Sequence, residues 1–527
     1  MMTLSFNLLD EPFIPCVRPD GQTVEYGLRD ALLKAHEIAE LRDGSPLVTV
    51  ALHRLLLAIL HRCYRGPMNS AERVAIRKTG YFDAERISAY LRKLADRFDL
   101  FDNEYPFFQR AGYAQAEPSS INRLVKELSR GNNAALFDHT IDDPPLTLTP
   151  AEAARAVITE QMFAYSAGRG RRGEPHTRDA PNGRAAAVFA LGDTLFQTLW
   201  LNLTIYDGNE KPVACDEDDG PVWERTPIPP YEDSDTPRGY LDFLTWQSRT
   251  LRLHPEADGD RIVIRRVSYS QGRVWTQVAG FYDPFTAYER VPEVGDRALQ
   301  LRENRDLWRD SAALFQFGET DQFRGPTSLR TLGNLVSERQ LSASERYRVM
   351  VAGARVESGQ PNLIFWRHET LPLPLAYLNN LQLVESLKWS LALAEAVADE
   401  ALHKAAWAVA ANWLASNPEL KPDKDRVRAV IDSFAPERFY WSRLERPFRE
   451  LLVRLADEGA DPTACVNGWF WDILHRAARK AFEESIGRID GGRDLKAVNA
   501  GRGVLFTRLK KIRKDNHIPD QEREGAA

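Results

Sequence analysis

The stretch Ser166-Ala167-Gly168-Arg169-Gly170-Arg171-Arg172-Gly173 joins two residue types suited to holding a phosphate or a base edge. Glycines let backbone N–H groups come close to such a ligand, and arginines add charge and a planar fork of donors. The spacing excludes a Walker loop, since no Gly-Lys-Ser/Thr follows. A helical pattern precedes it, not the strand of a dinucleotide fingerprint. A mobile basic loop is the plainer alternative. A second stretch, residues 353–374, has a polar tip, Ser358-Gly359-Gln360-Pro361-Asn362, followed at once by the apolar run Leu363-Ile364-Phe365-Trp366. Gly359 tolerates positive φ. Pro361 fixes its own φ and biases Gln360 toward an extended conformation, which presents the Gln360 amide outward. A surface turn with a solvated Gln is the alternative. A third candidate is Arg273, at the end of Ser270-Gln271-Gly272-Arg273. Strand-like segments 262–267 and 274–278 flank it, so it is expected at a hairpin tip; Arg265 and Arg266 compete for the same role.

Other chemistries find less support. Asp216-Glu217-Asp218-Asp219, with His254 or His176, is the only hint of a metal-dependent nuclease. Four consecutive acids on one loop cannot converge on one ion, so a solvated linker is expected. The four cysteines (Cys16, Cys63, Cys215 and Cys465) are scattered without a Cys-x-x-Cys pair, which indicates neither a zinc ribbon nor a disulfide framework. No nucleophile–base pair or nucleotide loop argues for an enzyme. No catalytic residue, metal or cofactor is expected.

The elements that must position these residues are readable in outline. The chain has 527 residues, 43% hydrophobic and 27% charged, enough for two or three domains around a sizeable core. Residues 149–165 read as a helix with Thr149 as N-cap, Pro150 in its first turn and Glu152 behind it. Residues 28–40, 49–62, 70–78, 83–97, 119–130 and 191–203 also follow a helical period. Asp20-Gly21 marks a hairpin, and residues 104–109 read as an aromatic core strand. The apolar run 47–60 contains His53 and Arg54 and is too short to span a bilayer. Residues 1–15 lack the features of a signal peptide, and a reducing cytoplasm fits. Beyond Pro374 the texture is helical to the end: 375–416, 426–433, 437–458, 468–486 and 495–514, joined by short loops. The fold class is therefore α+β, a large mixed N-terminal domain (1–374) followed by an all-α four-helix bundle (375–527). The net charge is −6, so nucleic-acid binding requires locally concentrated basic residues. Residues 488–514 supply them, with nine Lys or Arg against two Asp, including Arg502, Arg508, Lys510, Lys511 and Arg513.

Gly353, Gly359-Gln360 and Arg367-His368, the opening Asn7-Leu8-Leu9-Asp10 with Phe13-Ile14-Pro15, the glycine loop behind its helix, and Glu437-Arg438-Phe439-Tyr440 together resemble the CasA family. That family is the large subunit of type I-E CRISPR Cascade complexes. The resemblance runs from Phe6 through the bundle. It implies a non-catalytic subunit that recognises the protospacer-adjacent motif in double-stranded target DNA. It also implies partnership with crRNA, the other Cascade subunits and a recruited helicase–nuclease, without a membrane. By the resemblance, Gln360 beside Gly359 is a wedge inserted into the duplex. Gly168, Arg169 and Gly170 form a loop whose backbone touches the motif from the minor groove, and Arg273 stands where the family has a lysine finger. The loop around Leu136, Phe137 and Asp138 contacts crRNA and neighbouring subunits, with the family's aromatic matched to Leu136 or to Phe137 one place later. The basic stripe is read as a nucleic-acid contact. A structural scaffold that binds RNA without reading a motif remains the main alternative.

Overall fold

The computed structural model describes residues 4–126, 146–166, 177–205, 219–225, 236–276, 280–293, 295–316, 323–356, 363–415, 423–486 and 495–520. Two compact units emerge. The first comprises Met1–Ser342 with Tyr347–Leu371; the second comprises Ala343–Arg346 with Pro372–Ala527. The chain thus lends four residues to the second unit before returning to the first, which no local signal in the sequence announces.

The first unit is built on the helix Pro46–Tyr64, which is buried on nearly every side. It is the one helix among the described residues long and apolar enough to cross a membrane, and 78% of its most apolar window is buried inside the protein. Two of its buried polar residues find partners inside the protein, as burial demands. Arg54 pairs with Asp283 at 2.7 Å, and the His53 Nδ1 lies 2.8 Å from the Thr49 carbonyl. Around this helix lie small three-stranded sheets. In one, Ile14–Val17 pairs antiparallel with Thr23–Tyr26 around the expected Asp20-Gly21 turn, where Gly21 takes φ +85°. In another, Arg249–Asp258 pairs with Arg261–Gln271, and Ser119–Ser120 lies at the edge. In a third, Arg346–Val356 lies between Leu363–Pro374 and Ala187–Leu191.

Several expected elements are shorter or different. The helix expected over 28–40 stops at Leu33. Residues 104–109 form an irregular turn, not a strand, although Phe107, Phe108 and Gln109 are buried as core residues. Among the described residues 119–126, Ser120 caps a single 3-10 turn, Ile121–Leu124, because Ser119 and Ser120 are drawn into pairing with Val267 and Arg266. The helix expected over 191–203 begins at Leu195, and the residues before it form the strand Ala187–Leu191.

The second unit is helical as the period predicts. A continuous helix over 381–414 carries a π segment, Val397–His403. The helix Glu445–Leu455 buries Phe448, Leu451, Leu452 and Leu455 at three- and four-residue steps. The last helix, Leu495–Asp515, buries Ala497, Gly501, Leu505, Leu509 and Ile512 on one face. Gly501 is required by close approach: a Cβ there would meet the Ala405 carbonyl oxygen at 2.8 Å and Phe482 at 3.1 Å. Overpacking of this kind forces backbone shifts costing about 1–3 kcal/mol. Gly501→Val is therefore expected to lower the unfolding free energy by that amount in urea titration of the intact chain, whereas Gly503→Ala, at a position open to solvent, is expected to leave it unchanged or raised.

Candidate nucleic-acid interface

The helix Pro150–Phe163 delivers the chain to the glycine and arginine loop. It starts with the capping box expected from the sequence: the Thr149 side chain accepts from the Glu152 N–H, and Glu152 accepts from the Thr149 N–H at 2.8 Å. Residues 167–176, including Gly168, Arg169 and Gly170, lie outside the described residues. Their two stems are described, and they are stitched together. The Ala180 N–H donates to the Ala164 carbonyl at 2.8 Å, and the Ser166 N–H donates to Asp179 Oδ1 at 2.7 Å. Arg184 holds the other Asp179 oxygen at 2.7 Å. Arg249, fully buried, spans both stems with one nitrogen: Nη2 donates to the Tyr165 carbonyl at 3.0 Å and to the Arg178 carbonyl at 2.7 Å. The Arg178 N–H donates to Gln271 Oε1 at 2.6 Å, which ties the returning stem to the end of the strand Arg261–Gln271.

The segment carrying Gly359 and Gln360, residues 357–362, also lies outside the described residues. It joins Arg346–Val356 to Leu363–Pro374, neighbouring strands of one sheet. The third strand, Ala187–Leu191, follows directly on the returning stem of the glycine loop and pairs Ala187 with Ala352. Gly353 lets the two backbones meet, since a Cβ there would lie 2.9 Å from the Ala185 carbonyl oxygen. The outgoing strand of the wedge segment thus runs against the chain that leaves the glycine loop. The return strand is anchored by Arg367, which donates to the Arg305 carbonyl at 2.5 Å, and by Glu369, which accepts from the Leu307 and Trp308 N–H groups at 3.0 and 3.2 Å. None of the apolar run is fully buried: Leu363 and Phe365 are half-buried, and Ile364 and Trp366 are exposed.

Arg273 is not at a hairpin tip. The hairpin turns at Gly259-Asp260, and the strand Arg261–Gln271 runs on through the residues expected to form the turn. No strand spans 274–276, and 277–279 lie outside the described residues. Arg273 is buried, with its guanidinium 2.6 and 3.1 Å from the two Asp242 oxygens and stacked 3.7 Å from the Trp246 ring. Arg225 reaches the same carboxylate at 2.8 Å. Burial alone would raise the Asp242 pKa, but the Arg273 hydrogen bonds and charge, with Arg225, hold it below the usual carboxylate range. The competing arginines lie along the hairpin: Arg265 binds Glu256 and Asp258 at 3.0 and 2.7 Å. Arg266 binds Glu256 at 3.2 Å and keeps 57% of its side chain exposed.

Leu136, Phe137 and Asp138 lie in 127–145, outside the described residues, as do His176 and Asp216–Asp218 of the nuclease alternative. The remaining acid, Asp219, is a buried cap that accepts the Leu241 and Asp242 N–H groups at 3.0 and 2.9 Å. His254 contacts the Ser268 hydroxyl at 2.9 Å. Among the described residues no group of three or more His, Cys, Asp or Glu is placed to hold a metal.

Residues 7–487 match the model of the CRISPR-associated protein Cse1 family. The chain belongs to the Cse1 family. The CRISPR-associated protein CasA/Cse1 of Thermus thermophilus is 33% identical over 519 residues, covering 94% of this chain and 95% of that protein. The crystal structure of Cse1 from Acidimicrobium ferrooxidans superimposes with a TM-score of 0.81 at 26% identity, covering 98% of this chain and all of that one. A chain of a CRISPR RNA-guided surveillance complex shares the fold, with a TM-score of 0.76 at 23% identity over 95% of this chain and 99% of that one.

In this Cse1 chain the basic stripe is narrower than its sequence. On the helix Leu495–Asp515, Arg502, Lys510 and Lys511 are exposed and Arg508 half-buried, but Arg513 is buried and paired with Asp520. Arg513 falls on the packing face one step beyond Ile512, which removes it from the stripe. Arg249 is the positioning residue that sequence reading missed. It sits in no motif, and its partners are distant along the chain.

Two outcomes follow from the buried acids. Arg273→Ala leaves Asp242 with Arg225 as its remaining cation, and breaking such a pair is expected to cost about 3 kcal/mol in chemical denaturation; a loss near zero would restore Arg273 as a free finger. Burial, countered by the two capping N–H groups, raises the Asp219 pKa from its ordinary value of 3.8 to about 6. Between these values the folded chain binds more protons than the unfolded one, so this group favours folding as the pH falls from 7 toward 4. Asp219→Asn should remove that component of the stability–pH profile.

Proposed function

We propose that this Cse1 chain is the large, non-catalytic subunit of a cytoplasmic Cascade complex. In this reading it recognises the protospacer-adjacent motif in double-stranded DNA and starts duplex opening for the guide RNA. What carries the reading is the joining of two loops within one unit. The stitched stems of 167–176 run straight into the strand that supports the sheet flanking 357–362. A backbone loop that reads base edges and a wedge that parts the base pairs beneath them must be held in fixed relation, and the joining of their stems supports that reading.

The minor groove presents a degenerate pattern that mainly separates A·T from G·C. A glycine backbone at Gly168 and Gly170, with Arg169, therefore tolerates several related motifs. Gln360 beside Gly359 then enters the duplex, where unstacking a step costs a few kcal/mol. Base pairing with crRNA reads the remaining sequence. Arg273, as it stands, would have to leave Asp242 to act as a finger, so the exposed Arg266 takes its place as the described basic candidate. Residues 136–138 would meet crRNA and neighbouring subunits. Arg502, Arg508, Lys510 and Lys511 would meet nucleic acid, and the assembled complex would recruit the helicase–nuclease.

The test is target-DNA binding by the reconstituted complex at one salt concentration, using closed duplexes with a permitted or a disallowed motif and a pre-opened bubble. Gln360→Ala is expected to lose the closed permitted duplex by roughly tenfold or more, the scale of a few kcal/mol of unstacking, and to regain binding on the bubble. Arg266→Ala is expected to weaken both closed duplexes and to lower the salt dependence of binding. If neither variant alters binding or motif preference, the chain is a scaffold.

A further inference from the structure

Residues 104–109, which read as an aromatic core strand in the sequence, instead turn to wall a cavity in the first unit. Two buried amides pin the turn. Gln109 accepts from the Leu253 N–H at 2.8 Å and donates to the Leu100 carbonyl at 2.7 Å, and Gln161 donates to the Phe108 carbonyl at 3.0 Å. Phe108 is held at φ +54°. Bulky residues rarely enter that region, and such strain recurs where a chain is fixed around a ligand. The cavity measures about 560 Å³, within the range of small-molecule sites. Phe107 and Trp223 line it with near-parallel rings, 5.9 Å apart and inclined by 24°. Arg110, and Arg97 with its guanidinium 3.3 Å from the Tyr105 ring, line its less buried side.

Two buried donors at this cavity are unused. Gln247 is 5% exposed, and its Nε2 has no hydrogen-bond partner among the described residues. Arg225 binds Asp242 Oδ1 at 2.8 Å through Nη1, while its buried Nη2 has no partner among the described residues. Asp242 is already shared: Arg273 takes both of its oxygens, and Oδ2 also accepts from the Arg238 N–H at 3.0 Å. An unpaired buried donor costs the whole of its lost hydration, so each such group calls for a reason. A ligand acceptor supplies one here. The charged residues lining the cavity are three arginines against one acid, Glu104, which favours an anion.

We propose that this cavity binds a single nucleotide, free or at the end of a single strand, with guanine preferred. The base lies against the Phe107 and Trp223 rings, as bases stack on aromatic side chains elsewhere. Its edge faces Gln247 Nε2 and Arg225 Nη2. Guanine suits two donors because its O6 and N7 are both acceptors, whereas adenine sets an N6 donor beside N7. The phosphate meets Arg97 and Arg110, whose planar forks match it. The proposal is independent of motif recognition by the loops above.

The test is calorimetric titration of the intact chain with GMP, AMP, guanosine, inorganic phosphate, benzoate and a single-stranded RNA hexamer ending in guanosine. Hydrogen exchange of 104–111 and 222–225 locates the binding. Gln247→Leu removes the unpaired amide. Arg225→Lys keeps a cation for Asp242 and loses the second nitrogen. GMP is expected to bind at one site and to protect both segments. AMP, guanosine and each variant are expected to weaken binding by roughly tenfold, the scale of one charged or base-reading hydrogen bond. Gln247→Leu is also expected to leave the urea midpoint unchanged or raised, since it deletes a buried donor that has no partner. Tighter binding of the hexamer than of GMP assigns the site to a strand end, and weaker binding assigns it to the free nucleotide. No GMP binding, or GMP binding unchanged in both variants, would overturn the proposal. So would phosphate binding as tightly as GMP, which makes the site one for a bare anion, or benzoate binding more tightly, which points to an aromatic carboxylate. A lowered urea midpoint in Gln247→Leu with GMP binding intact would return the amide to the core and overturn it as well.

Discussion

A buried charge must find its partners before the surrounding chain can settle, and in the first unit that requirement falls on Glu160 and Arg249. Neither side chain has access to water. Between them they fix the helix Pro150–Phe163, the paired strands Arg249–Asp258 and Arg261–Gln271, and both stems of the 167–176 loop. Gln161 adds a neutral counterpart, its amide bridging the Phe108 carbonyl and both the N–H and the carbonyl of Arg249. An apolar core would have filled this space with comparable stability. What the polar version adds is direction: each group has one arrangement that satisfies it, so the stems have one relative position.

The same economy governs the wedge segment. Its two strands are long, but what they need is a firm base, which the sheet supplies through Ala187–Leu191 and the backbone contact at Gly353. Residues placed on loops above a rigid scaffold carry recognition in many folds. Here the scaffold strand and the loop stem are joined by a few residues of the same chain. Arg367 and Glu369 fasten the return strand to the segment around Arg305–Trp308, leaving Ile364 and Trp366 on the open side.

The second unit works on different terms. Its helices bury apolar faces at regular steps, and its basic residues line the outer side of the last helix. Gly501 is there because two helices come too close for a Cβ, a requirement of packing rather than of helix formation, which a glycine weakens. Arg513 shows the converse. Its charge belongs to the stripe by composition, and its position on the helix turns it inward to Asp520.

What the sequence by itself determined is local. The Thr149/Glu152 capping box, the Asp20-Gly21 hairpin, the helical period after Pro374 and the α+β class each depend on residues within a turn or two of one another, and the motifs that mark the Cse1 family are read in the same way. Tertiary structure alone decided the rest. Arg273 reads as a tip residue from Gly272 and the flanking β-rich segments. It is buried because the hairpin turns at Gly259-Asp260, and Asp242, far along the chain, is there to receive it. Asp219 reads as one acid of a solvated run, and it caps the helix Tyr240–Leu244, which begins well beyond it in the chain. Glu160 and Arg249 carry no motif at all. Burial and ion pairing are set by partners that sequence distance hides, whereas capping and periodicity are set by neighbours that it displays.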